Sequence, residues 1–163
     1  MALTSYAIAL GSNRRSRYGS PAQTLRAAAS AIGAERLSQI RTTAAMGPAG
    51  RGFANAAALL SSRLSPPELL ASLKQVERDF GRRRGRRWGP RVLDLDLILW
   101  SGGTWEGGGL VVPHPAFRTR TFVLEPLCDV AADWRDPLGG ATVRQLLHRL
   151  RAPRPVDRAV THT

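Results

Sequence analysis

The sequence contains a single cysteine, Cys128, and no long apolar run. One cysteine excludes an internal disulfide and a metal cluster built from several cysteines. We predict Cys128 to be a small core residue, because it lies in an apolar stretch. No run approaches the ~20 apolar residues that a membrane-spanning helix needs. The N-terminal residues lack the basic-then-apolar order of a secretory signal, so we expect a cytoplasmic protein without a membrane partner.

Lysine is also scarce, since Lys74 is the only lysine among 24 basic residues. The net charge of +12 favours an anionic partner. Charge alone leaves nucleic acid, nucleoside triphosphate and acidic lipid headgroups open. The sequence has no GxxxxGK[ST] loop, no GxGxxG after the first strand and no kinase catalytic-loop pattern. If a nucleotide binds, the usual phosphate-binding loops are therefore not responsible.

The order of predicted elements indicates the fold class. Hydrophobic periodicity predicts strands over residues 6–10, about 37–45, about 54–62 and 92–100, with helices over about 21–32 and 66–80. Each of these helices begins with a capping box, Ser20 to Gln23 and Ser65 to Glu68. This order is that of an α+β, ferredoxin-like βαββαβ fold, an antiparallel sheet with helices on one face.

The rest of the chain predicts two C-terminal helices, over about 121–131 and 143–150. The second begins with a further capping box, Thr142 to Gln145. We therefore expect a single domain over residues 1–152. The remaining residues, 153–163, are rich in proline and arginine and are expected to form a flexible basic tail.

Two aspartates in the last apolar strand suggest a metal site. Residues two apart in a strand point the same way, so Asp94 and Asp96 share a face opposite Leu93, Leu95, Leu97 and Leu99. Neighbouring carboxylates repel each other and are costly to bury. Magnesium would offset that cost and could bridge the pair to a phosphoryl group. The alternative is a solvated edge strand, and the spacing alone leaves both interpretations open.

An arginine- and glycine-rich segment precedes this strand, from Gly81 to Arg91 around Trp88. Arginine forks bind phosphate, and a mobile basic loop beside a carboxylate pair suits phosphoryl transfer. The same composition is typical of a disordered nucleic-acid contact or of a solvated loop.

A third cluster places a histidine between two prolines, with arginines following it. His114 is expected in a rigid loop where it could touch a ligand, and Arg118 and Arg120 could add phosphate donors. A lone loop histidine is usually only solvated, so this signal is weak by itself.

Several segments, in order, resemble one family: the 6-hydroxymethyl-7,8-dihydropterin pyrophosphokinases of folate biosynthesis. The similarity covers roughly residues 6 to 136 and is most specific in the run RWGPR-x-LDLD. The matching segments are Ala9-Leu10-Gly11-Ser12-Asn13, Asn55-Ala56-Ala57, Glu77 with Gly81-Arg82, Arg87 to Arg91 with Leu93 to Asp96, and Val112-Pro113-His114 with Arg120 and Phe122.

The resemblance implies a ferredoxin-like fold and the transfer of the β,γ-diphosphate of ATP to the pterin hydroxymethyl group, with release of AMP. We also expect a monomer. It implies that Asp94 and Asp96 hold two Mg²⁺ ions, while Arg82 and Arg91 act on the phosphates. The implied ATP contacts are Glu77, Arg84, Trp88, His114 and Arg120. The implied pterin contacts are Thr43, Met46, Phe53, Asn55, Trp88 and Phe122, of which the two phenylalanines would sandwich the ring.

The sequence departs from the family pattern in places. Phe53 stands where a tyrosine is frequent, Pro115 replaces an aromatic residue, and the segment from Thr43 to Met46 replaces one that carries proline. The runner-up function is an RNA-binding domain on the same fold class. We disfavour it and expect no nucleic-acid partner, because the sheet lacks the aromatic RNA-binding pattern and Asp94 and Asp96 would repel phosphate without a metal.

Overall fold

The computed structural model describes residues 1–43, 52–81 and 92–152. These residues form seven strands, four α-helices and one 3₁₀ turn over Phe117–Thr119. The strands are β1 (Thr4–Ser12), β2 (Arg36–Leu37), β3 (Arg41–Thr43), β4 (Phe53–Ser62), β5 (Asp94–Trp100), β6 (Trp105–Gly107) and β7 (Leu110–Val112), and the helices are α1 (Pro21–Ala31), α2 (Pro66–Gly81), α3 (Thr121–Ala131) and α4 (Val143–Arg151).

β1 is the centre of the main sheet. It runs antiparallel to β4 on one side and to β5 on the other, and the short strands β2 and β3 both pair antiparallel with β4. β6 and β7 form a separate hairpin. The strand order and the order of elements along the chain confirm the predicted α+β, ferredoxin-like fold.

Helices cover both faces of this sheet. Side chains of β1 alternate between two apolar clusters: Tyr6 and Ile8 pack with α1 and α2, whereas Ala7 packs with α3 and α4. The C-terminal helices therefore lie on the face opposite the first two. Ala7 and Ala57 are fully buried there, and their small side chains let α3 approach the sheet closely.

The strand predicted over 37–45 is in fact two short strands. Between them the Ser38 hydroxyl accepts a hydrogen bond from the Ala57 N–H at 2.8 Å, and the Ser38 N–H donates to the Ala57 carbonyl at 2.8 Å. The hydroxyl takes the place of a backbone acceptor, so the ladder to β4 is interrupted and resumes at Arg41.

A β-bulge also changes one predicted face. Ile8 pairs with Leu97 but Ala7 pairs with Leu99, so Ile98 is an extra residue in β5. Leu99 therefore packs with α3 and α4, and the prediction that it shares a face with Leu97 is wrong. Within the described ranges, no helix has the length and apolarity to cross a bilayer.

Candidate active site

A cavity of about 450 Å³ opens on the sheet face that carries α3. The ends of β1, β3, β4 and β5 and the first turn of α3 contribute to it. Its lining residues are Ala9, Leu10, Gly11, Ser12, Asn13, Thr43, Phe53, Asn55, Asp94, Asp96, Arg120, Phe122 and Val123.

The floor of the cavity is one row of residues across three strands. Gly11 pairs with Asn55 on β4 and with Asp94 on β5, so all three lie side by side. Cross-strand partners point to the same face of a sheet. Because Gly11 has no side chain, the Asn55 amide and the Asp94 carboxylate stand on either side of an open gap. A Cβ at Gly11 would lie 3.4 Å from Asn55 Oδ1.

The two aspartates open into this cavity from β5, which is an edge strand of the sheet. Asp94 is exposed and Asp96 is half-buried. At Asp94 and Asp96 the strand is thus buried on its leucine face only, and the cost of burying charge is not what would attract a cation. What matters instead is that both carboxylates, two residues apart on β5, are accessible from the same cavity.

This donor set fits magnesium. In the part of the chain that the structure describes, no His, Cys, Asp or Glu joins the pair in a group of three. Mg²⁺ commonly takes one or two protein carboxylates and completes its shell with water and substrate phosphate oxygens. Asp94 and Asp96 are therefore the described residues that could hold it beside a polyphosphate.

Two walls with exposed aromatic rings stand above the floor. The first wall consists of Thr43, Phe53 and Asn55, the last of which it shares with the floor, and the second wall consists of Arg120, Phe122 and Val123. Phe53 is 41% exposed and Phe122 is 53% exposed, which is unusual for large apolar side chains. Rings left open on cavity walls can stack on a flat heterocycle, while the Asn55 amide supplies a donor and an acceptor.

Arginine and histidine side chains approach from the loop before α3. The Arg120 Cζ lies 5.8 Å from the centre of the Phe122 ring. His114 donates its backbone N–H to the Ile98 carbonyl at 2.9 Å, which fixes the loop beside β5. The pKa of His114 is lowered, chiefly by burial. The Asp96 carboxylate opposes this shift, and Arg120 adds to it. His114 is therefore electrostatically coupled to the site, although it does not line the described cavity.

Arg118 is not the phosphate donor that the sequence suggested. Its Nε and Nη2 both donate to the Asp136 carboxylate, the latter at 2.7 Å, and Asp136 is only 2% exposed. The guanidinium lowers the pKa of Asp136. The pair fixes the 3₁₀ turn between His114 and Arg120 against the α3–α4 connection.

Glu77 also has a structural contact. Its Oε2 accepts the Leu95 N–H of β5 at 2.7 Å, and its Oε1 lies 3.2 Å from Lys74 Nζ. The side chain is 11% exposed and does not line the cavity. Its predicted contact with ATP stays a prediction.

The remaining predicted residues cannot be placed. Met46, Arg82, Arg84, Trp88 and Arg91 lie outside the described residues, as does the predicted tail over 153–163. Of the predicted site residues that the structure describes, all but Glu77 and His114 line one cavity, namely Thr43, Phe53, Asn55, Asp94, Asp96, Arg120 and Phe122.

Sequence reasoning assigned no role to Gly11, Ser12 and Asn13, which line the cavity at the end of β1. A signal for them was present. This segment belongs to the resemblance, and it ends a strand whose second face carries only small residues. A strand with small side chains on one face leaves room above it.

The chain is similar to known proteins over most of its length. The family model for 7,8-dihydro-6-hydroxymethylpterin-pyrophosphokinase matches residues 7–132. The chain is 44% identical over 119 residues to a 2-amino-4-hydroxy-6-hydroxymethyldihydropteridine pyrophosphokinase from Synechocystis, which covers 73% of this chain and 61% of that protein. It is 40% identical to the enzyme of the same name from Pseudomonas aeruginosa, covering 81% of this chain and 83% of that one.

The fold is similar to that of a larger protein of known structure. Wild-type HPPK-DHPS from Plasmodium falciparum, crystallised with STZ-DHP, superposes with a TM-score of 0.67 at 11% identity. The match covers 91% of this chain and 43% of that chain, so this chain corresponds to less than half of it. At this identity the likeness concerns the fold alone.

Proposed function

The chain belongs to the 7,8-dihydro-6-hydroxymethylpterin-pyrophosphokinase family, and we propose that it transfers the β,γ-diphosphate of ATP to the hydroxymethyl group of that pterin, a step of folate biosynthesis. One observation carries the proposal beyond family membership. A carboxylate pair, a side-chain amide and two exposed phenylalanines, which the resemblance assigns to metal and pterin, line a single cavity.

The reaction forms one bond and breaks one. The pterin hydroxyl oxygen attacks the β-phosphorus of ATP, and the bond from that phosphorus to the oxygen bridging to the α-phosphorus breaks. AMP leaves with the bridging oxygen, and the hydroxyl proton is lost to solvent or to a nearby base. Most of the rate would come from positioning the reactants and neutralising charge, as in other phosphoryl transfers.

On the pterin side, Phe53 and Phe122 would stack on the two faces of the ring, and the Asn55 amide would hydrogen-bond its edge. Thr43 pairs with Phe53 and adds backbone and hydroxyl groups to the first wall. Met46 and Trp88 are proposed as further pterin contacts from the sequence. Orienting the ring in this way would hold its hydroxymethyl group toward Asp94 and Asp96.

On the ATP side, Asp94 and Asp96 would hold two Mg²⁺ ions. Magnesium, when bound, supplies charge neutralisation on the phosphates. Arg120 and His114 are the described residues proposed to contact ATP, together with Arg84 and Trp88 from the sequence. Arg82 and Arg91 are proposed to act on the phosphates during transfer. Glu77 is retained as a proposed ATP contact, although its carboxylate already accepts a hydrogen bond from the Leu95 N–H.

We further propose a cytoplasmic monomer with a single domain over residues 1–152 and no nucleic-acid partner. Size-exclusion chromatography with light scattering should give one copy of the 17.7 kDa chain per particle.

AMP release from ATP, with magnesium and 6-hydroxymethyl-7,8-dihydropterin, tests the function directly. Asp94→Asn and Asp96→Asn should each lower kcat by about 1,000-fold or more, since each removes charge from the metal-holding pair. Circular dichroism and thermal unfolding should show both variants folded.

Asp133→Asn is a matched control, because Asp133 is a surface aspartate with an 82% exposed side chain paired to Arg144. It should keep the wild-type rate. A near-normal rate in Asp94→Asn or Asp96→Asn would contradict the assignment of that aspartate as a metal ligand. A wild-type protein that released no AMP would contradict the proposed reaction.

A further inference from the structure

An ion pair ties the two walls of the cavity together. Arg41 of β3 faces Asp129 of α3, with Nη1 2.8 Å from Oδ2 and Nη2 3.1 Å from Oδ1. The Gln39 N–H donates to the same carboxylate at 3.1 Å, and Arg41 Nη1 also donates to the Gln39 carbonyl at 3.2 Å. Two parallel hydrogen bonds between guanidinium and carboxylate fix both distance and orientation.

The Arg41 end of the pair belongs to the first wall. Arg41 pairs directly with Asn55 across the β3–β4 ladder, and Thr43 pairs with Phe53. Residues two apart on a strand share a face, so Arg41 lies on the same side of the sheet as the wall residues Thr43, Phe53 and Asn55.

The Asp129 end belongs to the second wall. Phe122 and Asp129 are seven residues apart on α3, which is about two helical turns. They therefore lie on nearly the same face of the helix. One face of α3 therefore carries both Asp129, which pairs with Arg41, and Phe122, which lines the cavity.

The other contacts between these two walls are apolar. β3 has only three residues and is joined to β4 alone among the described strands. α3 rests on the sheet through apolar contacts over small side chains such as Ala57. Apolar packing is not directional, whereas a two-bond ion pair fixes one relative orientation of the groups that it joins. A flat ring between two phenylalanines needs them about 7 Å apart, because each stacking contact takes about 3.5 Å.

We propose that the Arg41–Asp129 ion pair is a positioning device that sets the separation of the two walls and thereby the affinity for the pterin. Neither side chain lines the cavity, so both act through Phe53, Asn55 and Phe122. This inference rests on the proposed function, since it concerns the pterin side of that site.

The test compares Michaelis constants for the two substrates. Arg41→Gln and Asp129→Asn should each raise the KM for the pterin about three- to fivefold, with the KM for ATP within about twofold of wild type. The double variant should be no worse than the poorer single variant, because the interaction is already lost. Asp129→Glu, which keeps the charge, should recover part of the affinity.

A second ion pair on the same helix provides the control. Arg151 Nη2 lies 2.7 Å from Glu125 Oε2 and links α3 to α4 rather than to the cavity strands. Arg151→Gln removes a comparable pair from α3 and should leave both KM values unchanged. Thermal unfolding of all variants shows whether each remains folded at the assay temperature.

The inference is overturned if both single variants have the same KM for the pterin as the wild-type protein. It is equally overturned if the KM for ATP rises as much as that for the pterin, or if Arg151→Gln has the same effect. Wild-type protein without AMP release would contradict the proposed function instead. In that case equilibrium binding, followed by the fluorescence of the pterin itself, gives the same comparison of variants with wild type.

Discussion

At the scale of single residues, the cavity depends on Gly11, which has no side chain. Gly11 has partners on both neighbouring strands, and these partners, Asn55 and Asp94, are assigned to different substrates. Without a Cβ at Gly11, the pterin and the phosphates could meet over the middle strand. Glycine is needed here for space, since its backbone does not adopt a positive φ.

Gly11→Val should therefore close the gap while leaving the strand intact, because valine is favoured in strands. We expect kcat/KM for the pterin to fall at least about tenfold, or about 1.4 kcal/mol in transition-state stabilisation. Gly11→Ala should have a smaller effect, since its Cβ would only touch Asn55 Oδ1. Steady-state kinetics together with thermal unfolding measure both. A valine variant with wild-type kcat/KM would show that substrate does not occupy this gap.

At the scale of elements, local capping and long-range ion pairs play different parts. The capping boxes at Ser20 and Thr142 start α1 and α4, as the sequence predicted. The 3₁₀ turn before α3 has no side-chain cap and depends on Arg118, which reaches Asp136 in the α3–α4 connection. That pair orders the segment between His114 and Arg120.

Asp136→Asn should destabilise the protein by about 1–3 kcal/mol at neutral pH, because it leaves a partly buried guanidinium without its counter-charge. Arg118 lowers the pKa of Asp136. The ionised carboxylate therefore stabilises the fold above its unfolded pKa of about 3.9, and this contribution is lost as the pH falls through the lower folded pKa.

Urea unfolding at pH 7 and near pH 3 measures this dependence. The stability difference between wild type and Asp136→Asn should be large at pH 7 and should shrink in acid. Asp133→Asn, which breaks an exposed pair, should stay within about 0.5 kcal/mol of wild type at pH 7. A difference for Asp136→Asn that grew in acid would contradict this role for the pair.

At the scale of the whole molecule, one sheet separates two helical layers with different tasks. The layer of α1 and α2 packs on Tyr6, Ile8 and Leu10 and supports the sheet from behind. The layer of α3 and α4 packs on the other face and also carries the second wall of the cavity. Core substitutions in the two layers should therefore differ in their effect on function.

Leu124→Ala and Leu25→Ala offer a matched comparison, since both leucines are fully buried, one in each layer. Each should cost about 2–5 kcal/mol of stability. Only Leu124→Ala should raise the KM for the pterin, because Leu124 adjoins the wall residues Phe122 and Val123. Chemical denaturation and kinetics, at a temperature where both variants are folded, test the difference. Equal effects on KM would mean that the layers do not act separately on the site.

The sequence by itself predicted the four helices, the main strands and their order, and the shared face of Asp94 and Asp96. Helix starts depend on residues three apart, and strand faces depend on a period of two, so both can be read locally. The resemblance added the candidate residues and their chemistry, but it could not show which of them meet.

Only the tertiary structure decided how distant residues combine. Ser38 interrupts a strand because it bonds Ala57, the bulge at Ile98 turns Leu99 to the other face, and Arg118 is occupied by Asp136. The convergence of Asn55, Gly11 and Asp94 follows from strand register, and the approach of Phe122 follows from the packing of α3. Such contacts join residues far apart in the chain, and their energies depend on three-dimensional packing that local patterns do not encode.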